Sequence, residues 1–269
     1  MQLSFTKMNG AGNDFVLFDN RDSSLNLNTD AIAKLCDRHR GVGADGVLVV
    51  ELPASGADYR MRYYNADGSE AEMCGNGARC FARFAKRASK NTAEQISFET
   101  PAGVIGAKCV DDLVQISMSE PHSHREPQAL TVNGRSLDVH FINTGVPHAV
   151  VFVDDLEAVD VVKDGAALRY HEAFTPKGTN ANFVQYLSPS SIAIRTYERG
   201  VEDETLACGT GVCAAAILHH LHSGEPAPIS VRVRGGDTLQ VGFEKSEAGF
   251  RRVTLTGPAD FVFEGEISL

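Results

Sequence analysis

The sequence predicts an α/β (α+β) fold built from one unit used twice, and three observations predict it. Glu72-Met-Cys-Gly-Asn-Gly-Ala-Arg79 is echoed by Leu206-Ala-Cys-Gly-Thr-Gly-Val-Cys213, each a cysteine followed by Gly-x-Gly and an apolar run at helical spacing. The two cysteines stand 134 residues apart (208 minus 74), close to half of the 269-residue chain. The same offset carries Asn13-Asp-Phe-Val-Leu-Phe18 onto Pro147-His-Ala-Val-Val-Phe152, and residues 43–50 then 59–65 are matched in order by 178–185 then 192–198.

In chain order, residues 2–8 and 14–20 run apolar around Asn9-Gly-Ala-Gly12, which predicts an opening hairpin with a glycine-rich turn and Asn13 just beyond it. A helix is predicted over 29–38, capped by Asn28 or Thr29, with Ile32, Leu35 and Cys36 on its buried face. Residues 46–52 read as a buried strand and 59–64 as an alternating one, leading into the turn Asn65-Ala-Asp-Gly68. The helix after the first cysteine turns Ala78, Phe81, Phe84, Ala85 and Ala88 inward. Strands follow over 95–100, 103–110 and 113–118, with Cys109 in packing. Residues 119–127 are polar, with Pro121, Pro127 and the solvated His122 and His124, and read as a linker.

The second unit begins there. Strands 139–142 and 149–153 flank Asn143–His148, one or two helices fall within 156–169, and strands 182–187 and 192–197 precede the second cysteine turn. The helix after it turns Val212, Ala215, Ala216 and Leu221 inward and carries His219, His220 and His222 near its end, where a cation suits the helix dipole. Strands over 229–233, 238–243, 252–256 and 261–269 close the chain.

Composition bounds the function. With 43% hydrophobic and 22% charged residues the chain is an ordinary globular protein, and its net charge of -10 argues against nucleic acid or an anionic membrane as partner. No stretch approaches the ~18 apolar residues of a membrane span and residues 1–7 lack the apolar core of a signal peptide, so the expected location is cytoplasmic. Six cysteines in such a chain are expected as thiols rather than as a disulfide framework. Cys74 to Cys80 and Cys208 to Cys213 lack zinc spacing and a second ligand pair, so no metal is expected.

Cys74 and Cys208 each sit where a tight turn feeds a helix. The first turn of a helix leaves backbone N–H groups unpaired and carries partial positive charge, which favours an anion. A thiol with a pKa of ~8.5 falls in such a place, making both cysteines candidate proton carriers. The glycine next to each lets a carboxylate approach the backbone. A nucleophilic thiol enzyme needs one cysteine with a histidine base. A dithiol redox pair favours C-x-x-C, which is absent, and a non-catalytic amino-acid-binding protein needs no thiols there. Inversion of a stereocentre needs two groups, one on each face of the carbon, so the two-thiol isomerase fits best. Such a pair shares a proton at rest and titrates as a unit.

Met8-Asn-Gly-Ala-Gly-Asn-Asp-Phe15, Tyr64-Asn-Ala-Asp-Gly-Ser69, Cys74-Gly-Asn-Gly-Ala-Arg79, Gly178-Thr-Asn-Ala-Asn182, Tyr197-Glu-Arg-Gly200 and Ala207-Cys-Gly-Thr-Gly211 together resemble the diaminopimelate epimerase family from end to end. The resemblance implies a cofactor-independent epimerase that interconverts LL- and meso-2,6-diaminopimelate on the route to lysine and peptidoglycan, forming a homodimer. It implies two pseudo-symmetric domains, 1–118 and 119–261, each a mostly antiparallel sheet curled around a central helix, with strand 262–269 returning to the first and the site in the cleft between them. The need to exclude water from a carbanion is the reason to expect that cleft to close over substrate. Cys74 and Cys208 are its implied bases, with His148 and Glu198 tuning them. Gly75, Asn76, Gly209 and Thr210 match the cradle of the reacting carboxylate. Asn13, Asn65, Asn180, Glu198 and Arg199 match groups that hold substrate, Arg199 suiting the distal carboxylate.

Taken singly, His148 reads as a core histidine, Glu198 and Arg199 as a solvated ion pair, and the asparagines as turn amides. Two positions depart from the best-known members: Gly46 where they carry glutamine, and Val146 where they carry asparagine. The runner-up resemblance is to proline and hydroxyproline racemases, whose substrate has no distal carboxylate for Arg199.

Overall fold

Residues 15–18 and 46–50 are buried at successive strand positions, so both faces of these strands are covered, and the helices that cover them set the architecture. The computed structural model describes residues 2–247 and 249–268; Met1, Ala248 and Leu269, the last predicted to end the terminal strand, lie outside the described residues. Two units emerge, Met1–Ile116 with Gly257–Leu269, and Ser117–Thr256.

The first unit runs β1 (Gln2–Gly10), β2 (Asn13–Asp19), α1 (Thr29–Cys36), β3 (Gly46–Glu51), β4 (Tyr59–Asn65), β5 (Glu70–Ala71), α2 (Gly75–Ser89), β6 (Gln95–Thr100), β7 (Gly103–Val110) and β8 (Leu113–Ser117). The second runs β9 (His122–Val132), β10 (Arg135–Asn143), β11 (Pro147–Val153), α3 (Val161–Arg169), a 3-10 turn at Glu172–Phe174, β12 (Asn180–Ser188), β13 (Ser191–Glu198), β14 (Asp203–Thr205), α4 (Gly209–Ser223), β15 (Ile229–Arg232), β16 (Thr238–Ser246) and β17 (Gly249–Pro258). The last strand, β18 (Asp260–Ser268), pairs antiparallel with β1 of the first unit.

The duplication is written in the pairings. β1 and β2 are antiparallel, as are β10 and β11. β2 lies parallel to β3, and β11 to β12. β4 is antiparallel to β3 and β5 but parallel to β6, and β13 repeats this with β12, β14 and β15. β6–β7–β8 and β15–β16–β17 are then antiparallel meanders. The predicted fold class holds: mixed sheets with few helices, built twice.

In the first unit, Val16, Phe18, Val47 and Val49 bury against Ile32, Leu35 and Cys36 of α1. The opposite face presents Phe15 and Leu48, whose tips lie 3.4 Å from where a Cβ on Gly77 of α2 would sit. A strand pair covered on both faces reads as a continuous apolar run, which is how 46–52 appears. In the second unit α3 packs on Phe141, Val151 and Phe183, while Gly211 through His219 of α4 are buried. A helix apolar all round is a central one.

Several expectations need correction. Residues 119–127 are not a linker throughout, because β9 starts at His122. Almost every β9 side chain is exposed, so no alternation betrays the strand, and Pro127 falls at a break in its register with β10, where a missing N–H is tolerated. The one or two helices expected within 156–169 are one, in keeping with that reading, beginning at Val161 under an Asp160 cap. Leu221 of α4 is 38% exposed rather than buried. The short strands β5 and β14 carry too few residues to show a period.

Candidate active site

Each cysteine caps a 15-residue helix at the same place in its unit: Cys74 is the N-cap of α2 and Cys208 of α4, both extended in backbone. Glycine follows each, so the chain sets a cysteine at the N-cap position and turns at once into the helix. Gly77 N–H donates to Cys74 Sγ at 3.5 Å, while Cys208 Sγ lies 3.5 Å from Thr210 Oγ1. The ends are anchored differently: α2 stops at Lys90 in the left-handed region, and α4 at Gly224, whose N–H bonds the His220 carbonyl at 2.8 Å.

Around Cys74, Asn76 Nδ2 donates to Asn13 Oδ1 at 2.5 Å, and Asn13 Nδ2 donates to Asp45 Oδ2 at 3.0 Å. Arg79, fully buried, donates to Asn76 Oδ1 at 2.9 Å, to the Gly75 carbonyl at 3.4 Å and to the Pro258 carbonyl at 3.2 Å. The first turn of α2 is thereby fixed to the opening hairpin and to the returning C-terminal segment. Asn65 caps its own turn, donating to Ser69 Oγ at 3.1 Å.

Gly46 has a local cause. A Cβ there would lie 2.5 Å from the Tyr64 carbonyl oxygen and 2.7 Å from Tyr63 Cε2, so no larger side chain fits this backbone. At Val146 the backbone carbonyl accepts from Thr144 N–H at 3.2 Å, within the turn before β11.

Around Cys208, Thr144 Oγ1 donates to the Thr210 carbonyl at 2.9 Å. His148 on β11 is fully buried, and its Cε1 and Cys208 Cβ lie 3.4 and 3.5 Å from the point where a Cβ on Gly211 would stand. Burial first, and then the Arg199 charge, push the His148 pKa down to about 3, so the ring is neutral. Glu198 accepts from Thr205 Oγ1 at 2.9 Å, and burial raises its pKa. Asn180 Nδ2 donates to the Pro147 carbonyl at 3.0 Å and its Oδ1 accepts from the Arg199 N–H at 2.8 Å. The Arg199 guanidinium meets the Lys177 carbonyl at 3.3 Å and, among the described residues, no carboxylate.

The structure therefore gathers Asn13, Gly75 and Asn76 around Cys74, and His148, Gly209 and Thr210 around Cys208, with Asn180 at the start of β12 bonded to the Arg199 N–H just past Glu198, the last residue of β13. Glu198 and Arg199 are not paired with each other. The remaining thiols are packing groups: burial pushes Cys36 up to about 11 and Cys80 up to about 12. Sequence reasoning gave no role to Arg79, Asp45, Asn182 or Thr196. Only the motif membership of Arg79 and Asn182 hinted at them.

No helix among the described residues is long and apolar enough to cross a membrane. Among solved structures, the chain superposes on a PhzF-family phenazine biosynthesis protein of Bacillus anthracis with a TM-score of 0.75 at 15% identity, covering 100% of both chains. It superposes on a hydroxyproline epimerase from Agrobacterium vitis with a TM-score of 0.71 at 17% identity, covering 100% of this chain and 93% of that one. At such identities these show the fold alone.

In sequence, the chain is 45% identical to diaminopimelate epimerase of Aquifex aeolicus (strain VF5) over 278 positions, covering 99% of this chain and 98% of the relative. It is 39% identical to the diaminopimelate epimerase of Chlorobaculum tepidum over 265 positions, covering 97% and 100%. The family profile described as diaminopimelate epimerase matches residues 5–123 and 140–262. The chain belongs to the diaminopimelate epimerase family.

Proposed function

We propose that the chain interconverts LL- and meso-2,6-diaminopimelate by two-base proton transfer, with Cys74 and Cys208 as the bases. That it is an epimerase follows from its family, and its place is accordingly in lysine biosynthesis. The observation that carries the two-thiol chemistry is the repeat of one device: a cysteine capping the same helix of each unit.

In this reading one thiolate removes the α-proton while the other thiol delivers a proton to the opposite face, and the roles exchange in reverse. Charge develops on the substrate carboxylate as the proton leaves. The first turns of α2 and α4, at Gly75, Asn76, Gly209 and Thr210, supply N–H groups and positive dipole ends to hold it. Arg199, with no carboxylate of its own among the described residues, takes the distal carboxylate in bidentate fashion, and Asn180 fixes the backbone that presents it. Asn13, Asn65 and Glu198 complete the substrate contacts, and neutral His148 with buried Glu198 tunes the thiols. We place the protein in the cytoplasm as a homodimer of two-domain subunits, 1–118 with 262–269 and 119–261, working without a cofactor.

The test is turnover of LL-diaminopimelate by the reduced protein, followed by NMR. The meso product is expected, with kcat lowered by roughly 10²–10⁴ in Cys74→Ala and in Cys208→Ala. Turnover of proline instead, surviving Arg199→Ala, would replace this reading by the racemase one.

A further inference from the structure

We propose that Asn182 is a positioning residue that holds His148 as the neutral Nε2–H tautomer, keeping a buried N–H donor beside the first turn of α4. This deepens the epimerase reading and rests on it.

Asn182, His148 and Thr196 come from three neighbouring strands: β12 pairs with β11 on one side and β13 on the other, with Asn182 opposite Thr196. All three side chains are buried. Asn182 Nδ2 donates to the Ala149 carbonyl at 2.8 Å and lies 3.2 Å from His148 Nδ1, while its Oδ1 accepts from Thr196 Oγ1 at 3.0 Å. The Ala149 carbonyl only accepts, so it fixes which end of the amide is nitrogen; the flipped amide would set two oxygens against each other. One Nδ2 hydrogen goes to Ala149 and the other to His148, which requires a bare Nδ1. A neutral imidazole with a bare Nδ1 carries its proton on Nε2.

Nε2 is buried and has no hydrogen-bond partner among the described residues. A buried donor left unmade is costly, so its presence points to an acceptor that arrives with the reaction. The ring stands where that acceptor would be an anion at the head of α4, because a Cβ on Gly211 would touch His148 Cε1 at 3.4 Å and Cys208 Cβ at 3.5 Å. The same Cβ would lie 2.5 Å from Asn182 Oδ1, so the helix packs directly on the amide that sets the tautomer. Asn182 touches no reacting atom in this account; it acts through His148.

The test combines nitrogen NMR of the full chain labelled with 15N-histidine and steady-state kinetics, the His148 signal being assigned by its loss in His148→Gln. In the wild-type chain Nδ1 is expected to be bare and Nε2 protonated. Asn182→Asp replaces the donor by an acceptor, so the proton moves to Nδ1, and kcat should fall by about 10²-fold, the scale of losing one preorganised donor, with a much smaller change in KM. Asn182→Ala adds no buried charge and keeps the test open if the aspartate variant does not fold: mixed tautomers and a kcat at least tenfold lower, ~10, are expected. A protonated Nδ1 in the wild-type chain would overturn the inference, and so would an inverted tautomer with unchanged kcat. The spectrum reads the tautomer whether or not diaminopimelate turns over, so an inactive wild-type chain would sink the epimerase reading separately.

Discussion

The side chains of Asn13 and Asn76, 63 residues apart, meet at 2.5 Å, Asn76 donating and Asn13 accepting. This bond ties the glycine turn of the opening hairpin to the first turn of the helix that Cys74 caps. Asn13 passes the constraint on to Asp45, and Arg79 holds Asn76 from the other side. Asn13→Ala should therefore remove one hydrogen bond from the buried Asn76 amide and cost about 1–3 kcal/mol, measured by urea unfolding. It should also lower kcat/KM for diaminopimelate, since Asn76 is a proposed cradle residue. Unchanged stability would mean that water replaces the bond.

Asp14 gives a pH dependence with a definite sign. Burial alone would raise its pKa, but hydrogen bonds from Arg38 and Lys7 outweigh this and hold it at about 2 against an ordinary 3.8. A carboxylate depressed in the folded state contributes stability above its unfolded pKa, and the contribution is lost as pH falls through the folded one. Asp14→Asn leaves the buried Lys7 ammonium its bond to the Gly43 carbonyl but removes its carboxylate partner at 2.7 Å, and should cost close to the lower end of ~3–5 kcal/mol near neutral pH, since Asp14 keeps some exposure. Denaturation curves should show the gap between variant and wild type narrowing as pH falls from about 4 towards 2. A gap that does not change with pH would contradict the assignment.

Gly46 is closed to larger residues by its neighbours. Gly46→Ala puts a methyl 2.5 Å from the Tyr64 carbonyl oxygen and 2.7 Å from Tyr63 Cε2, and should destabilise by about 1–3 kcal/mol. In a double-mutant cycle with Tyr63→Ala the cost of Gly46→Ala should shrink only in part, because the carbonyl contact is backbone. Thermal melts of the single and double variants check this, and a neutral Gly46→Ala would show that β3 and β4 shift freely.

Much of this was legible from residues alone. The buried Ile32, Leu35 and Cys36 of α1 followed from spacing, Asn28 is one of the two caps that residue type offered beside Thr29, and the Cys-Gly-x-Gly turns marked the starts of α2 and α4. The repeat disclosed the duplicated fold because both copies keep the same order of strands. What stayed hidden depends on lateral neighbours. β9 was missed because an exposed strand has no apolar alternation. The chain from His148 to Asn182 to Thr196 crosses three strands, and nothing in sequence says which side chains meet across them. Arg79 was passed over because a cation is expected at the surface, whereas here three backbone and side-chain oxygens receive it in the interior.

The central claim, two thiols acting on opposite faces of one carbon, is tested most directly by early-time turnover of LL-diaminopimelate in deuterated water. Product and recovered substrate are separated and their α-deuterium measured. Two bases predict solvent deuterium in the first meso product and none in the LL substrate still unreacted, with the product signal lost in Cys74→Ala and Cys208→Ala. Protium carried over into the product, or deuterium entering recovered substrate as fast as product forms, would mean that a single base serves both faces and would contradict the account.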